Sequence, residues 1–505
     1  MKTIFFAMYV CTLLGSTASA DPAFDQLWFK GSTAEAFSEA KAQNKPILLY
    51  WGAVWCPPCN ELKAQVFTHP DFAALTSSVI RVYQDGDQEN AQNWSDRLKV
   101  SGYPTVLLLS SQGDELLRVV ESVSWEEFAE TFSLALKEGG SFAGALAQAL
   151  SGGEVPPSVW KLLAYSRWTH PFMKDEEKAL LLLDREKLIE LIPASFAKEK
   201  ALLVAGLVED VASEDKAYHP SVVGLWQRTV TLAPSYLHTV LNNEESIWAA
   251  RDLVTYQAKT ILEWAQKHFE KKERDSLFLR WIRAAEFVRT RGQASVDLQL
   301  WAVYPQLVIT RLIATDKALP KALKTAVRTA VARAEREATT EFQRHSVMSG
   351  AAWLLGDIGD FENARSLLLK EIRTTDTPWY YQSSLAQLEQ KQGNHKDALI
   401  WSHLARESAK GNSTRLQWIE ADLARTIELA SDNPHAIHKI VREYYDLAFS
   451  LPEGFLGRNA SRAARVKEAL GKLKDPLLQE TFKFYAQRCA LSEGPLKERC
   501  EKFFQ

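Results

Sequence analysis

The stretch "LLYWGAVWCPPCNELKAQVF", residues 48–67, decides the reading of this chain. It overlaps the apolar run "PILLYW", residues 46–51, which has the character of a strand buried on both faces of a mixed sheet. Two cysteines follow, Cys56 and Cys59, separated only by Pro57 and Pro58. Proline suits the first turn of a helix, so a helix is expected from Pro57. The thiols therefore stand where a strand turns into a helix. The helix dipole and free backbone N–H groups there favour a thiolate on Cys56. Cys59, one turn inside, is shielded and suited to break a mixed disulfide formed at Cys56.

A C-x-x-C pair can also bind a soft metal, but zinc wants four ligands. The next cysteines, Cys489 and Cys500, are more than four hundred residues away. The nearest histidine is His69, followed by Pro70. No metal site is expected, and no cofactor beyond a redox-active Cys56–Cys59 disulfide. A purely structural bridge here would stabilise little, because the ring it closes is so small.

Working outward, residues 24–138 alternate strand and helix patterns. "STAEAFSEAKAQNK" opens with a capping box, Ser32 with Glu35. "SSVIRVYQD" reads as a strand and "ENAQNWSDRLKV" as a helix. "PTVLLLSSQGDELLRVVES" reads as a hairpin turning at Gln112-Gly113-Asp114. "SWEEFAETFSLALKE" closes the unit as a helix, capped by Ser124 with Glu127.

"WCPPC" after an apolar strand resembles the active site of the thioredoxin superfamily, and "SGYPT", residues 101–105, strengthens the resemblance. The resemblance implies a cis proline at Pro104 packed against the disulfide. It implies a substrate-contacting residue at Tyr103. Trp55 matches the tryptophan that usually precedes the first cysteine. Trp55, Pro57, Pro58, Tyr103 and Pro104 are thus the expected substrate groove around the catalytic Cys56 and Cys59. "ELKAQVFTHPDF" resembles secreted thioredoxin-like modules with an extended loop after the active-site helix. One position departs. Thioredoxins usually carry a buried carboxylate six residues before the first cysteine, which moves protons for the resolving thiol; here Tyr50 stands there. Arg81 is the candidate for the basic residue that often neighbours it. The missing carboxylate argues against fast thioredoxin-style reduction. It leaves room for slower, partner-specific exchange or for an oxidant or isomerase role.

Beyond this unit, "EGGSFAGALAQALSGGEVPPS" is rich in Gly, Ser and Pro, and residues 141–157 are read as a linker. From residue 158 to 505 helical patterns run almost without a break. "GDFENARSLLLKEI" begins at Gly359 and "GNHKDALIWSHLAR" at Gly393, an offset matching the tetratricopeptide period. The clearest units of this kind span about 345–412. The expected fold class is an α/β thioredoxin-like domain, residues 21–140, followed by an all-α helical-repeat domain. Stacked units leave a concave surface suited to protein binding. Trp160, Trp226, Trp264, Trp281, Trp353 and Trp401 are read as core packing between helices. Charge runs such as "EKKERD" read as solvated helix faces, and His395 and His403 as surface or satisfied core residues.

Residues 1–20 read as a secretory signal peptide: Lys2, a short apolar run, then Ala18-Ser19-Ala20 before Asp21. Cys11 would leave with it, and so would one positive charge, taking the formal charge from −3 to −4. So mild a balance carries no footprint for nucleic acid or a membrane surface. No later apolar run is long enough to span a bilayer. The four remaining cysteines suit an oxidising compartment: the periplasm first, a secreted or lumenal setting otherwise. Cys489 ends one helical pattern and Cys500 lies about a turn and a half into the next, an offset at which antiparallel neighbours can be bridged, which suggests a staple; a relay taking electrons from Cys59 is the alternative. The expected function is an exported thiol–disulfide oxidoreductase. It would act on protein thiols and disulfides, with a redox partner yet to be identified and the helical array holding clients or partners. The rival is a non-catalytic protein-binding scaffold carrying a redox-inert or redox-sensing module.

Overall fold

The computed structural model describes residues 22–100, 102–119, 123–138, 141–169, 173–214, 223–314, 318–473 and 475–504. The expected signal peptide and Ser101 of "SGYPT" lie outside the described residues.

A four-stranded sheet anchors the N-terminal unit. Strand β1 (Ile47–Gly52) runs parallel to β2 (Ile80–Asp85) and antiparallel to β3 (Thr105–Leu109). Strand β3 forms the expected hairpin with β4 (Glu115–Val119), giving the order β2-β1-β3-β4. Every β1 side chain is buried, as its unbroken apolar run requires. Alternation splits them between two faces. Ile47, Leu49 and Trp51 pack with Ala36 and Ala40 of the Thr33–Gln43 helix. Leu48 and Tyr50 point the other way, into a cluster holding Cys56, Cys59, Leu62 and Phe67. That cluster continues into the helical region, to Trp281, Leu355 and Trp418. The two parts of the chain share one apolar core on the dithiol face of the sheet.

The segment expected as a linker is different in structure. Within 141–157, Phe142–Leu150 is helical, capped by Ser141 and burying Ala145, Leu146 and Ala149. Apart from Gly144 in its first turn, the Gly and Ser residues of this segment flank the helix, and the Ala/Leu spacing supplies an apolar face.

The rest of the described chain is helical. Helices Glu341–Asp357, Phe361–Thr374, Pro378–Lys391 and His395–Ser408 pack in succession. Gly359 and Gly393 take φ of 81° and 79° at the turns inside the two pairs, a region glycine enters without a Cβ penalty. Ala364 and Ala398 are fully buried where the paired helices meet. Trp160, Trp264 and Trp281 are buried; Trp226, Trp353 and Trp401 lie partly buried against the same core. The last helices form a separate apolar cluster. It contains a Cys489–Cys500 disulfide with a Cα separation of 5.9 Å, joining helices Pro476–Ala490 and Gly494–Phe504. Among the described residues no helix is long and apolar enough to cross a membrane.

Candidate active site

Strand β1 ends at Gly52, and the chain turns through Ala53–Trp55 into the Pro57–Leu62 helix. Cys56 is the N-cap of that helix, and its sulfur accepts the Cys59 backbone N–H at 3.3 Å. Pro57 and Pro58 have no N–H, so Cys59 offers the first backbone donor of the helix. Asn60 Nδ2 ties the turn by donating to the Val54 and Cys56 carbonyls at 2.9 and 3.0 Å. Cys56 and Cys59 are free thiols, 4% and 0% exposed. The Tyr103–Pro104 peptide is cis, and Tyr103, Pro104, Pro57 and Pro58 line one cavity of about 710 Å³.

Beneath the thiols lies a buried polar cluster. The Tyr50 hydroxyl lies beside the Cys59 sulfur without completing a hydrogen bond of normal geometry. A Cβ on Gly52 would stand 2.4 Å from that hydroxyl, so only glycine leaves it room. Tyr83, stacked on Tyr50 with ring centroids 5.0 Å apart, donates to Asp85 at 2.9 Å. Lys63, only 3% exposed, lies with its ammonium 5.2–5.8 Å from the ring centres of Phe24, Phe342 and Tyr83. Burial lowers the Lys63 pKa, opposed by the sulfur of Cys59 and the carboxyl of Asp85.

This cluster changes the expected electrostatics. Burial pushes the Cys56 thiol well up, with only part of that offset by the Cys59 N–H and the Arg458 charge. Burial acts upward on Cys59 too. There, contact with the Cys56 thiol, the Ala53 backbone, the Lys63 ammonium and the Tyr50 hydroxyl prevails, and its pKa falls. The two sulfurs compete for one proton, and the covered site draws negative charge toward Cys59 instead of Cys56. The expectation for Arg81 also fails. Its guanidinium bonds the Thr76 hydroxyl at 3.2 Å, and the cation acting on Cys59 is Lys63. Lys63 stands four residues after Cys59 on a helical course, so i,i+4 spacing was the available signal.

The helical region closes over the site. The Trp55 indole N–H donates to the Thr414 hydroxyl at 2.8 Å, and its ring stacks on Tyr380 and meets Trp418 edge-on. Trp55 is thus sealed and does not line the cavity, unlike the other expected groove residues. The Arg458 guanidinium lies 3.6 Å from the centre of the Tyr103 ring. Asp87 accepts the Thr414 N–H at 2.8 Å and its hydroxyl at 2.5 Å; burial, aided by Asp85, raises the Asp87 pKa to about 6. Glu453 accepts the backbone N–H groups of Gln92 and Asn93 at 3.2 and 2.9 Å. Arg251 and Glu127 form a buried bidentate ion pair between the two parts. Sequence reading had no route to these partners, because each pairs residues over a hundred positions apart.

Beside the dithiol a second acidic group gathers. Burial raises the Glu61 pKa, opposed by hydrogen bonds with Ser295 and Ser346. Asp297 accepts the Tyr256 hydroxyl at 2.5 Å, and burial, reinforced by Glu61, raises its pKa well above the usual range. Among the described residues no cluster of His, Cys, Asp and Glu is arranged to hold a metal ion.

Fold and site together define a thioredoxin-like domain. Residues 33–135 match the family model described as Thioredoxin-like domain. Among curated proteins, the thiol:disulfide interchange protein DsbD 1 of Pseudomonas aeruginosa is 32% identical over 99 residues, 19% of this chain and 17% of that protein. The DsbD of Salmonella typhi is 31% identical over 88 residues, 17% of this chain and 16% of that protein. The chain therefore spans only a small part of the length of these relatives. Among solved structures, a DsbH oxidoreductase is 24% identical, covering 22% of this chain and 85% of that one at a TM-score of 0.20. A thioredoxin from Thermus thermophilus is 23% identical, covering 22% and 88% at a TM-score of 0.21.

Proposed function

We propose that this protein is a thiol–disulfide oxidoreductase that works in an exported, oxidising compartment, most simply the periplasm. The observation that carries the reading is the Cys56–Cys59 pair at the head of a helix, with the Tyr103–Pro104 loop on the same cavity. Two free thiols at this spacing shuttle between dithiol and disulfide. Cys56, the less buried of the two thiols and next in sequence to the cavity-lining Pro57, is the sulfur that meets a substrate disulfide. Cys59 then displaces the mixed disulfide, and Lys63 with Tyr50 stabilises its thiolate. These two side chains do the proton work that a buried carboxylate would do in a thioredoxin-like site. Arg458 and Tyr380, contributed by the helical region, complete the surroundings of Cys56.

The helical region serves first as the lid of its own redox domain. Its face over the dithiol is occupied by Trp55 and Tyr103, so capture of a protein client on that face requires the two parts to separate. The test is turnover of a disulfide substrate by the purified chain. Cys56→Ser is expected to abolish it, and Cys59→Ser to stall at a mixed disulfide. Full activity in the Cys56→Ser protein would overturn the reading.

A further inference from the structure

The helical region brings a charge as well as a cover to the dithiol, on the premise that the chain is the oxidoreductase proposed above. Its segment 453–459 is fastened to the redox domain at several points. Glu453 accepts the backbone N–H groups of Gln92 and Asn93, which open the Ala91–Arg97 helix. Asn459 Nδ2 steadies the segment by donating to the Glu453 carbonyl at 3.1 Å and to the Ser413 hydroxyl at 3.2 Å. Gly457 has a φ of 55°, and a Cβ there would stand 2.9 Å from the Gln92 carbonyl oxygen, so glycine lets the two backbones meet. The next residue, Arg458, donates its backbone N–H to Gln92 Oε1 at 3.0 Å.

What this fastening delivers is the Arg458 side chain. Its guanidinium lies over the Tyr103 ring, which meets Trp55 edge-on with centroids 6.2 Å apart. Tyr103 precedes the cis Pro104, and Trp55 precedes Cys56. The charge thus stands where the two loops that frame the dithiol come together. Further along the same helix, Arg462 and Arg465 are both paired with Glu420. Arg458 Nη1 is buried without a hydrogen bond, and among the described residues no ion pair joins Arg458 to a carboxylate. A buried charged donor left unpaired is costly, and an anion formed close by removes that cost.

The anion at hand is the Cys56 sulfur. Burial and the Cys59 thiol push the Cys56 thiol up, and the Arg458 charge acts against them. Lys63 acts more on Cys59 than on Cys56. The other titratable groups acting with Cys56 are Tyr50 on β1 and Tyr380 on the Pro378–Lys391 helix, and a tyrosine carries no positive charge. Arg458 itself faces Tyr103 and, on its own helix, Arg462. Each sulfur therefore has its own cation, one from each part of the chain.

We propose that Arg458 is a functional residue of the redox site, lent by the helical region, that stabilises negative charge on Cys56 when this sulfur attacks a disulfide. With the resting charge held at Cys59, attack begins with a proton shift: Cys56–SH and Cys59–S⁻ become Cys56–S⁻ and Cys59–SH. The Cys56 thiolate displaces one sulfur of R–S–S–R, which leaves as a thiolate. Cys59 passes its proton to that leaving group and then displaces the second sulfur from Cys56. Two electrons pass to the substrate; the products are R–SH, R–S⁻ and the Cys56–Cys59 disulfide.

The test isolates Cys56. The full-length chain carrying Cys59→Ser is alkylated with iodoacetamide across a pH series, and modification of Cys56 is followed by mass spectrometry. Adding Arg458→Gln is expected to move the midpoint up by about one pH unit, which is about a tenfold loss of thiolate at any pH below it. Arg458→Lys is expected to recover most of that shift. Arg458→Met, which keeps an apolar stem over Tyr103, repeats the test should the glutamine variant fail to fold. A midpoint that does not move, a shift that lysine does not recover, or alkylation that becomes faster at every pH, the sign of a loosened cover, would overturn this role for Arg458. A wild-type dithiol that turns over no disulfide, with the midpoint shift still present, would instead remove the oxidoreductase reading.

Discussion

This chain holds two cysteine pairs in opposite surroundings. Cys489 and Cys500 are bonded across two C-terminal helices, inside an apolar cluster of their own. Cys56 and Cys59 are free and ringed by Tyr50, Lys63, Tyr83 and Asp85, and the prolines between them line a cavity. Burial is nearly complete for all four sulfurs. Burial therefore does not separate a staple from a reactive pair; the titratable groups and the empty volume beside the prolines do.

The largest effect expected on this comparison comes from the contact that holds the cover in place. Arg251→Ala leaves the Glu127 carboxylate buried without its partner, an effect of about 3–5 kcal/mol. A lowered denaturation midpoint is expected, together with faster alkylation of Cys56 and Cys59 as the cover loosens. Next is the staple. Cys489→Ser, which opens a loop of sequence separation 11, is expected to lower stability by about 2–3 kcal/mol and leave disulfide turnover unchanged. Loss of turnover in that variant would point to the relay instead.

Smaller effects sharpen the chemistry. Lys63→Met removes the buried cation that lowers the Cys59 pKa, so the pH profile of turnover is expected to move to higher pH. An unmoved profile would place the thiolate's stabilisation elsewhere. The smallest effect concerns Asp87. Its folded pKa, about 6, lies above the ordinary carboxylate value, so the folded state holds that proton more tightly than the unfolded chain. Stability carried by Asp87 is therefore present at low pH and lost as pH rises to about 6. Asp87→Asn is expected to reduce the slope of the thermal unfolding midpoint across that interval, with the residual slope left to the other raised carboxyls, Asp85, Glu61 and Asp297 among them.

Much of the redox half was legible in the sequence. The strand–helix junction and the hairpin follow from local patterns, an apolar run, prolines in a first turn and a Gly113 turn, while the cis proline at Pro104 followed from the thioredoxin resemblance. The glycine and alanine spacing of the helical pairs was legible for the same reason. The cover was not. Trp55–Thr414, Asp87–Thr414 and Glu127–Arg251 join residues that only tertiary folding brings together. The linker reading failed at Phe142–Leu150, where flanking glycines outweighed a short amphipathic run. Tyr50, which sequence reading marked as the missing carboxylate, makes sense only beside Lys63.

The most direct test of a reactive pair beside a structural one is a redox titration of the full chain. Protein equilibrated in glutathione buffers of graded ratio is acid-quenched, alkylated and mapped by mass spectrometry. The expected result is that Cys56 and Cys59 convert together within the range such buffers cover, above about −300 mV, while Cys489–Cys500 stays bonded throughout. A Cys56–Cys59 disulfide locked well below that potential, or the C-terminal pair titrating in its place, would contradict it.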